Sequence, residues 1–344
     1  MSEQTKIQWA DSTINFWSGC TKVSAGCANC YAEGLSKRGL PAIGGWGKGA
    51  ARKRHKSAVK DALAYNRKPW ICNVCGEASP ATMHEGKFET CMHDGQSSLH
   101  RRRIFSLSLG DWLDTEVPIE WLAEMLDTIR QCDQVTWILC SKRWENFCER
   151  VTAAAVQLMD ADGKTPEWLR DWVCNNKAPA NIIGLCSVEN QDEAEVRIPN
   201  FLQVPLACRG LSLEPLLGPV DLTHLCADES MGCTYNALTG IGSWNKEPVG
   251  KPIDWLIIGG ESGTNARPCN VDWIRSLVAQ GKAAGVAPFV KQLGAMAEHL
   301  TSGSISTFGD SEPAIESMRL RDKKGGDINE WPQDLRVQEW PKGF

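Results

Sequence analysis

Short apolar runs alternate with longer amphipathic stretches along most of this chain. The runs Ile104–Leu109, Val135–Leu139, Ile182–Cys186, Arg209–Leu213, Trp255–Ile258 and Phe289–Lys291 read as β-strands. Between them, Ile119–Gln131, Trp144–Met159, Asp192–Phe201 and Val271–Ala284 carry helical spacing. A further strand ending just before Cys20 brings the number of strands to about seven. Strands alternating with helices predict a parallel sheet, here an open or closed (β/α) barrel. A doubly wound open sheet fits the same periodicity.

In a barrel the chemistry gathers at the carboxyl ends of the strands. Polar residues recur there. Ser108 and Asp111 follow one strand, and Ser141, Lys142 and Arg143 the next. Ser187, Glu189 and Asn190 follow the third, Glu214 and Pro215 the fourth, Gly259–Glu261 the fifth and Gln292 the sixth. One such residue is explained as a helix cap. Polar residues at every strand end predict one site lining one mouth. The glycine pair in GGESG (259–263) lets backbone approach a ligand closely. The same run also fits a tight turn presenting the Glu261 carboxylate to substrate.

The sharpest chemical signal is GCTKVSAGCANCYAE (19–33), which holds Cys20, Cys27 and Cys30. Three thiolates hold three corners of a [4Fe–4S] cluster and leave one iron open to a small molecule; a four-cysteine site is closed. Spacing alone also fits a zinc knuckle or unligated thiols. A second group, Cys72 and Cys75 followed by Cys91 and His93, has zinc-ribbon spacing, with His84 as a fallback ligand. That segment holds few large apolar residues, so it needs a metal to fold. An auxiliary iron–sulfur cluster or free thiols are the other readings.

The 344 residues suffice for one large barrel or two domains, and 42% of them are hydrophobic, enough for a full core. No apolar run approaches the ~20 residues of a membrane span, so no membrane partner and a cytoplasmic location are expected. Fifteen cysteines, an odd number, argue for metals and buried thiols rather than a disulfide framework. Cys132, Cys140, Cys148 and Cys174 read as small core residues, and the segment from Cys226 to Lys251 as a loop. Fifteen Trp against three Tyr add no chemistry beyond packing and stacking. The net charge of −5 hides an asymmetry: residues 37–103 hold 14 Lys and Arg against 5 Asp and Glu, a balance of +9 that leaves −14 elsewhere. The clusters ARKRHK (51–56) and RRR (101–103) point to nucleic-acid phosphates or to a solvated loop.

The stretch WADSTINFWSGCTKVSAGCANCYAE (9–33) resembles the opening of the phage Gp37/Gp68 (DUF5131) family, itself similar to radical S-adenosylmethionine (SAM) enzymes. The likeness continues through LSLGDWLD (107–114), LCSKRWEN (139–146), GLCSVENQ (184–191), LSLEPLLGPVDL (211–222), DWLIIGGESGTNARPCNVDWIRSL (254–277) and FVKQLG (289–294). The metal insertion is not part of that pattern. The usual radical SAM spacing is CxxxCxxC, whereas the first gap here is six residues, as in this family.

The resemblance implies a radical-SAM-like partial or complete TIM-type (β/α) barrel, to which the spacing of the second cysteine group adds a small zinc-ribbon-like insertion. Residues 1–45 would carry the cluster and first strand, 46–103 the basic zinc insertion, 104–300 the rest of the barrel and 301–344 a C-terminal extension. The implied cofactors are a [4Fe–4S] cluster and SAM, and the spacing of the second cysteine group adds Zn2+. Asn29 and Tyr31 would meet the adenine, and Ser108, Lys142 and Ser187 the polar groups of SAM. Glu189, Gly259 and Gly260 are further cofactor contacts, and Glu214 and Glu261 are the catalytic candidates. The implied activity acts on a modified base in DNA, rearranging an amino-acid adduct on a 5-substituted pyrimidine. The implied location is the host cytoplasm for a phage protein, with flavodoxin or ferredoxin as electron donor. The rival functions are a non-catalytic nucleic-acid-binding protein and a DNA repair lyase similar to spore photoproduct lyase.

Overall fold

The computed structural model describes residues 5–39, 43–79, 99–228, 232–243, 250–301 and 314–344. Its centre is one parallel sheet of seven strands: β1 (Ser12–Ile14), β2 (Arg103–Ser106), β3 (Thr136–Ser141), β4 (Ile182–Ser187), β5 (Cys208–Leu213), β6 (Trp255–Gly259) and β7 (Ala287–Gln292). The strands lie in the sheet in chain order. The β1–β2 connection carries α1 (Tyr31–Lys37) and α2 (Ala58–Asn66). Then α3 (Ile119–Gln131) follows β2, α4 (Phe147–Gln157) and α5 (Glu167–Cys174) follow β3, α6 (Gln191–Leu202) follows β4, and α7 (Val271–Ala284) follows β6.

The helices cover one face of the sheet. Leu122, Phe147, Ile198 and Leu277 share a core with Ile104, Trp137, Leu139 and Leu256. On the other face, Ile138, Ile183, Leu185, Trp255, Ile257 and Phe289 pack round Trp9, with no helical residue among them. A doubly wound sheet carries helices on both faces, so this is a barrel-type sheet. It is a partial barrel: among the described residues no ladder joins β7 to β1.

The C-terminal segment covers that open edge. Val290 N–H donates to Val337 O (2.8 Å) and Glu339 N–H to Pro288 O (2.9 Å). The Trp340 ring lies tilted 4.9 Å from Trp255 and edge-on 5.5 Å from Phe289, and the Arg103 guanidinium lies 3.5 Å over it. An exposed edge strand invites further pairing; here the chain's own segment supplies it.

The inward rows of the sheet change character toward the carboxyl ends. In β3 the row reads Ile138, Cys140 and then Lys142; in β4 it reads Ile183, Leu185 and then Ser187. Because strand side chains alternate between faces, two residues of chain suffice to pass from apolar base to polar mouth.

Several sequence-based expectations change. The strand expected over 104–109 ends at Ser106, because Leu107 turns to φ 63° and Leu109 N–H donates to Asn15 Oδ1 at 2.8 Å. The first sheet strand ends at Ile14 rather than beside Cys20; Trp17–Ser18 pairs instead with Lys53–Arg54. The helix expected from Trp144 begins as a separate turn, Trp144–Asn146. Cys132 is buried as expected, but Cys148 and Cys174 are exposed, on the solvent sides of α4 and α5. The segment from Cys226 holds a small antiparallel sheet, Leu225–Asp228, Cys233–Asn236 and Ile241–Gly242, where a loop was expected. No helix among the described residues is long and apolar enough to cross a membrane.

The basic clusters are largely built into the fold. Arg52 pairs with Asp114 at 2.9 Å with both side chains buried. Arg54 pairs with Glu124. Arg102 is buried, bonding Ser12 Oγ at 2.7 Å and lying 4.5 Å from the Tyr65 ring. Guanidinium groups suit such buried forks better than ammonium groups do.

Asp11 joins the base of the sheet. It accepts from His100 Nε2 at 3.0 Å and from Arg103 N–H at 2.7 Å. Burial alone raises its pKa, but the His100 and Arg103 bonds outweigh that and bring it to about 2. The stabilisation is therefore complete above the ordinary value near 4 and is lost as pH falls from there through about 2. A shift of this size corresponds to roughly 2 kcal/mol. Urea unfolding from pH 5 down to 2 should show that loss in the native chain. Asp11→Asn should be weaker at pH 5 and flatter over the same range; equal slopes would refute the assignment.

Candidate functional site

The cysteine loop lies between β1 and α1, across the carboxyl ends of the strands. Cys20, Cys27 and Cys30 line a cavity of about 310 Å³. Asn29, Tyr31, Ser108, Lys142, Ser187, Glu214, Gly260 and Glu261 line the same cavity. Of the remaining candidates, Glu189 is fully buried and Gly259 lies at the end of β6. Trp9, Phe105 and Leu107 give the cavity an apolar side. The strand-end pattern thus converges on one mouth.

The loop is held by charged clamps. At its start, Arg52 Nη2 donates to Thr21 Oγ1 at 2.8 Å while Asp114 holds the guanidinium. Arg143 donates to Thr21 O at 2.5 Å and lies 3.6 Å from Cys20 Sγ through both Nη1 and Nη2. At the middle, Glu189 accepts from Ser24 Oγ and from Gly26 N–H (3.0 Å), and is itself held by Arg197 at 2.8 Å and Lys142 at 3.4 Å. At the end, Arg267 forks onto both Glu261 oxygens (2.6 and 2.9 Å) and reaches Ala25 O at 2.8 Å. Asn29 Nδ2 donates to Glu261 Oε2 at 3.0 Å. Gly26 is required here, since a Cβ would stand 2.7 Å from Glu189 Oε1.

These contacts reassign two candidates. Glu189 and Glu261 hold the cysteine loop, with their oxygens occupied. Burial raises the pKa of each carboxyl, but Lys142 and Arg197 outweigh it at Glu189 and Arg267 does so at Glu261, so both lie below their ordinary value and stay ionised. Gly260 is a packing residue as well: a Cβ there would lie 2.3 Å from Leu293 O. Glu214 faces the cavity and pairs with Lys291 Nζ at 3.0 Å. Lys142 Nζ bonds Ser187 Oγ, and Tyr31 OH donates to Ser108 O at 2.6 Å.

Sequence reasoning placed Arg143 among the strand-end residues but missed its bond to Cys20, and missed the roles of Arg197, Arg267, Asp114 and Lys291. Lys291 carried a readable signal, a charge in an otherwise apolar run in the same inward row as Phe289. Arg143, Arg197, Arg267 and Asp114 act on partners far away in sequence, which local spacing does not reveal.

Cys20 lies beside the buried Arg143–Asp111 pair. Burial and the nearby Asp111 push its thiol up to about 12, with Arg143 pulling the other way. Arg143 is aimed by Asp111 Oδ2 at 2.7 Å, and Asp111 is fixed by Ser141 Oγ (2.7 Å) and Leu113 N–H (3.0 Å).

Among the described residues no three His, Cys, Asp or Glu side chains converge on a single ion. A [4Fe–4S] cluster makes a different demand, because each thiolate binds its own iron. Three cysteines on one cavity wall, guanidinium donors on a sulfur and a backbone with no room for Cβ at Gly26 fit that demand. At the second cysteine pair, Val74 N–H lies 3.4 Å from Cys72 Sγ and Gly76 N–H donates to Cys72 O, a turn that fits a thiolate knuckle. Cys91, His93 and His84 lie outside the described residues.

No curated protein and no solved structure matches this chain. The family model described as a protein of unknown function, DUF5131, matches residues 4–330, nearly the whole sequence. The chain belongs to the DUF5131 family.

Proposed function

We propose that this chain is a radical SAM enzyme in which Cys20, Cys27 and Cys30 hold a [4Fe–4S] cluster. The observation that supports this best is the meeting of all three cysteines with Lys142, Ser187 and Glu214 in one cavity at the carboxyl ends of parallel strands. With SAM bound, such a cluster supplies one-electron cleavage of a sulfonium and, through it, hydrogen abstraction from carbon.

The chain's own residues bind and orient. Lys142, Ser187 and Ser108 would meet the polar groups of SAM, and the backbone around Asn29 and Tyr31 would meet the adenine. The Glu214–Lys291 pair faces the substrate with one carboxylate and one ammonium. Trp9, Phe105 and Leu107 keep one side of the cavity dry. A low-potential carrier such as flavodoxin or ferredoxin supplies the electron. Zn2+ in the Cys72, Cys75, Cys91 and His93 set is a structural part of the same proposal.

The proposed substrate is a base in DNA carrying an amino-acid adduct on a 5-substituted pyrimidine. Its support is the exposed basic surface outside the internal pairs, chiefly Lys48, Lys56, Lys60, Arg67, Lys68 and Arg101.

Anaerobic reconstitution should give ~4 Fe per chain and, with SAM and reductant, 5′-deoxyadenosine. Replacing Cys20, Cys27 and Cys30 together with Ala should abolish both. Full iron and sulfide in the triple variant would sink the cluster assignment, and a mere binding module would make no 5′-deoxyadenosine.

Metal analysis of untreated protein should find ~1 Zn per chain, as for one closed tetrahedral site. Joint replacement of Cys72 and Cys75 should remove that zinc and leave the iron. Loss of iron instead, with zinc never present, would make the site a second cluster.

DNA affinity should fall steeply with salt. The triple change Lys56→Gln, Lys60→Gln and Lys68→Gln should flatten the slope by about 0.9 for each phosphate no longer neutralised, equally for all sequences. Salt-independent binding, with turnover of free nucleotides, would point to a small-molecule substrate.

A further inference from the structure

We infer that Arg143 is a positioning residue that sets the reduction potential of the iron–sulfur cluster through its bonds to the sulfur of Cys20. This deepens the proposed function and rests on it.

The three cysteines stand in unequal surroundings. Cys20 Sγ faces a guanidinium through two nitrogens, Nη1 and Nη2, each at 3.6 Å. That group has little freedom. Its side chain is 8% exposed and pairs with Asp111 Oδ2 at 2.7 Å. Asp111 is locked in turn by Ser141 Oγ, Leu113 N–H and Lys142 N–H, at 2.7, 3.0 and 3.1 Å. Two elements therefore fix the aim of the guanidinium: the segment after β2 carries Asp111, and the end of β3 carries Ser141 and Arg143 itself.

A structural role alone does not require this geometry. The bond from Arg143 Nη2 to Thr21 O at 2.5 Å already ties β3 to the loop. Turning both nitrogens onto the sulfur places donors and a positive charge where a ligand thiolate carries negative charge. Reduction adds one electron, supplied by a low-potential one-electron donor, and a fixed cation beside a ligand sulfur favours the more negative state. Hydrogen bonds to cluster sulfurs and local charge are known levers on such potentials. No bond is made or broken at Arg143, and no proton leaves it. Asp111, bonded to Nη1 of the same guanidinium, opposes the effect, and removing Arg143 leaves that anion unopposed beside the sulfur.

The test compares the full-length protein with Arg143→Gln and Arg143→Lys after anaerobic reconstitution. Iron, sulfide and visible absorbance report cluster content. A dithionite or titanium(III) titration followed by electron paramagnetic resonance reports the potential. Arg143→Gln should keep ~4 Fe per chain and show a reduced-to-oxidised ratio about tenfold lower at a fixed poise, a shift of ~59 mV for a one-electron couple. Arg143→Lys keeps the charge but loses the fork, and should fall between the two. If Arg143→Gln does not fold, Arg143→Lys alone decides by the direction of its shift. Native potentials in the variants that load, or loss of the cluster in both variants with the fold intact, would overturn the inference and leave Arg143 as a loop anchor. Failure of the native protein to bind iron at all would instead overturn the functional reading beneath it.

Discussion

The cysteine loop has almost nothing apolar to hold it, and the site depends on how that is solved. No residue of the turn Ala25–Cys27 is buried. With no hydrophobic anchor in the turn, charge pairs do the holding. Their burial decides which of them count. Breaking one partner of a buried pair costs about 3–5 kcal/mol, whereas an exposed pair contributes about 0–1. By that measure Arg52–Asp114 and Arg197–Glu189, with side chains at most 5% exposed, fix the loop. Lys22–Glu33, with the lysine 39% exposed, adds little.

These clamps also explain why the strand ends in this chain read as one site although several of them hold the loop. A parallel sheet delivers polar side chains to one rim, and the sequence displays that rim plainly. The rim has two duties here. Lys142, Ser187, Glu214 and Lys291 line the cavity, while Glu189, Arg197 and Arg267 hold the loop and Glu261 does both. Glu214 and Glu261 share a residue type and a place just past a strand, yet one pairs with Lys291 and the other with Arg267. Only the partner across space tells them apart.

That difference marks the limit of what the sequence makes legible. Strand positions, helix spacing, the parallel sheet and the gathering of three cysteines with the strand ends follow from local pattern, because period and burial are local properties. The breaks in that pattern have non-local causes. The β2 strand stops early because Asn15, some ninety residues away, takes the amide of Leu109. The RRR run looks like a grip for phosphate, yet Arg102 and Arg103 are spent on Tyr65, Asp11 and Trp340. Charge density in a sequence counts cations without saying which are already paired.

The open edge of the barrel has a consequence in time as well as in space. Gln8 meets Gln338 at 3.2 Å, and Trp9 shares a core with Trp255 and Trp340. The base of the sheet is thus assembled from residues more than 300 positions apart. During synthesis on the ribosome, β1 to β7 can all have emerged while the inner face still lacks Trp340 and β7 still lacks the pairing of Val337 and Glu339. Until those residues appear, the nascent sheet presents an unpaired edge and a wet apolar hollow, the features that recruit holding chaperones and neighbouring chains. The cell's quality-control machinery therefore meets this chain in its most adhesive form just before synthesis reaches its closing segment.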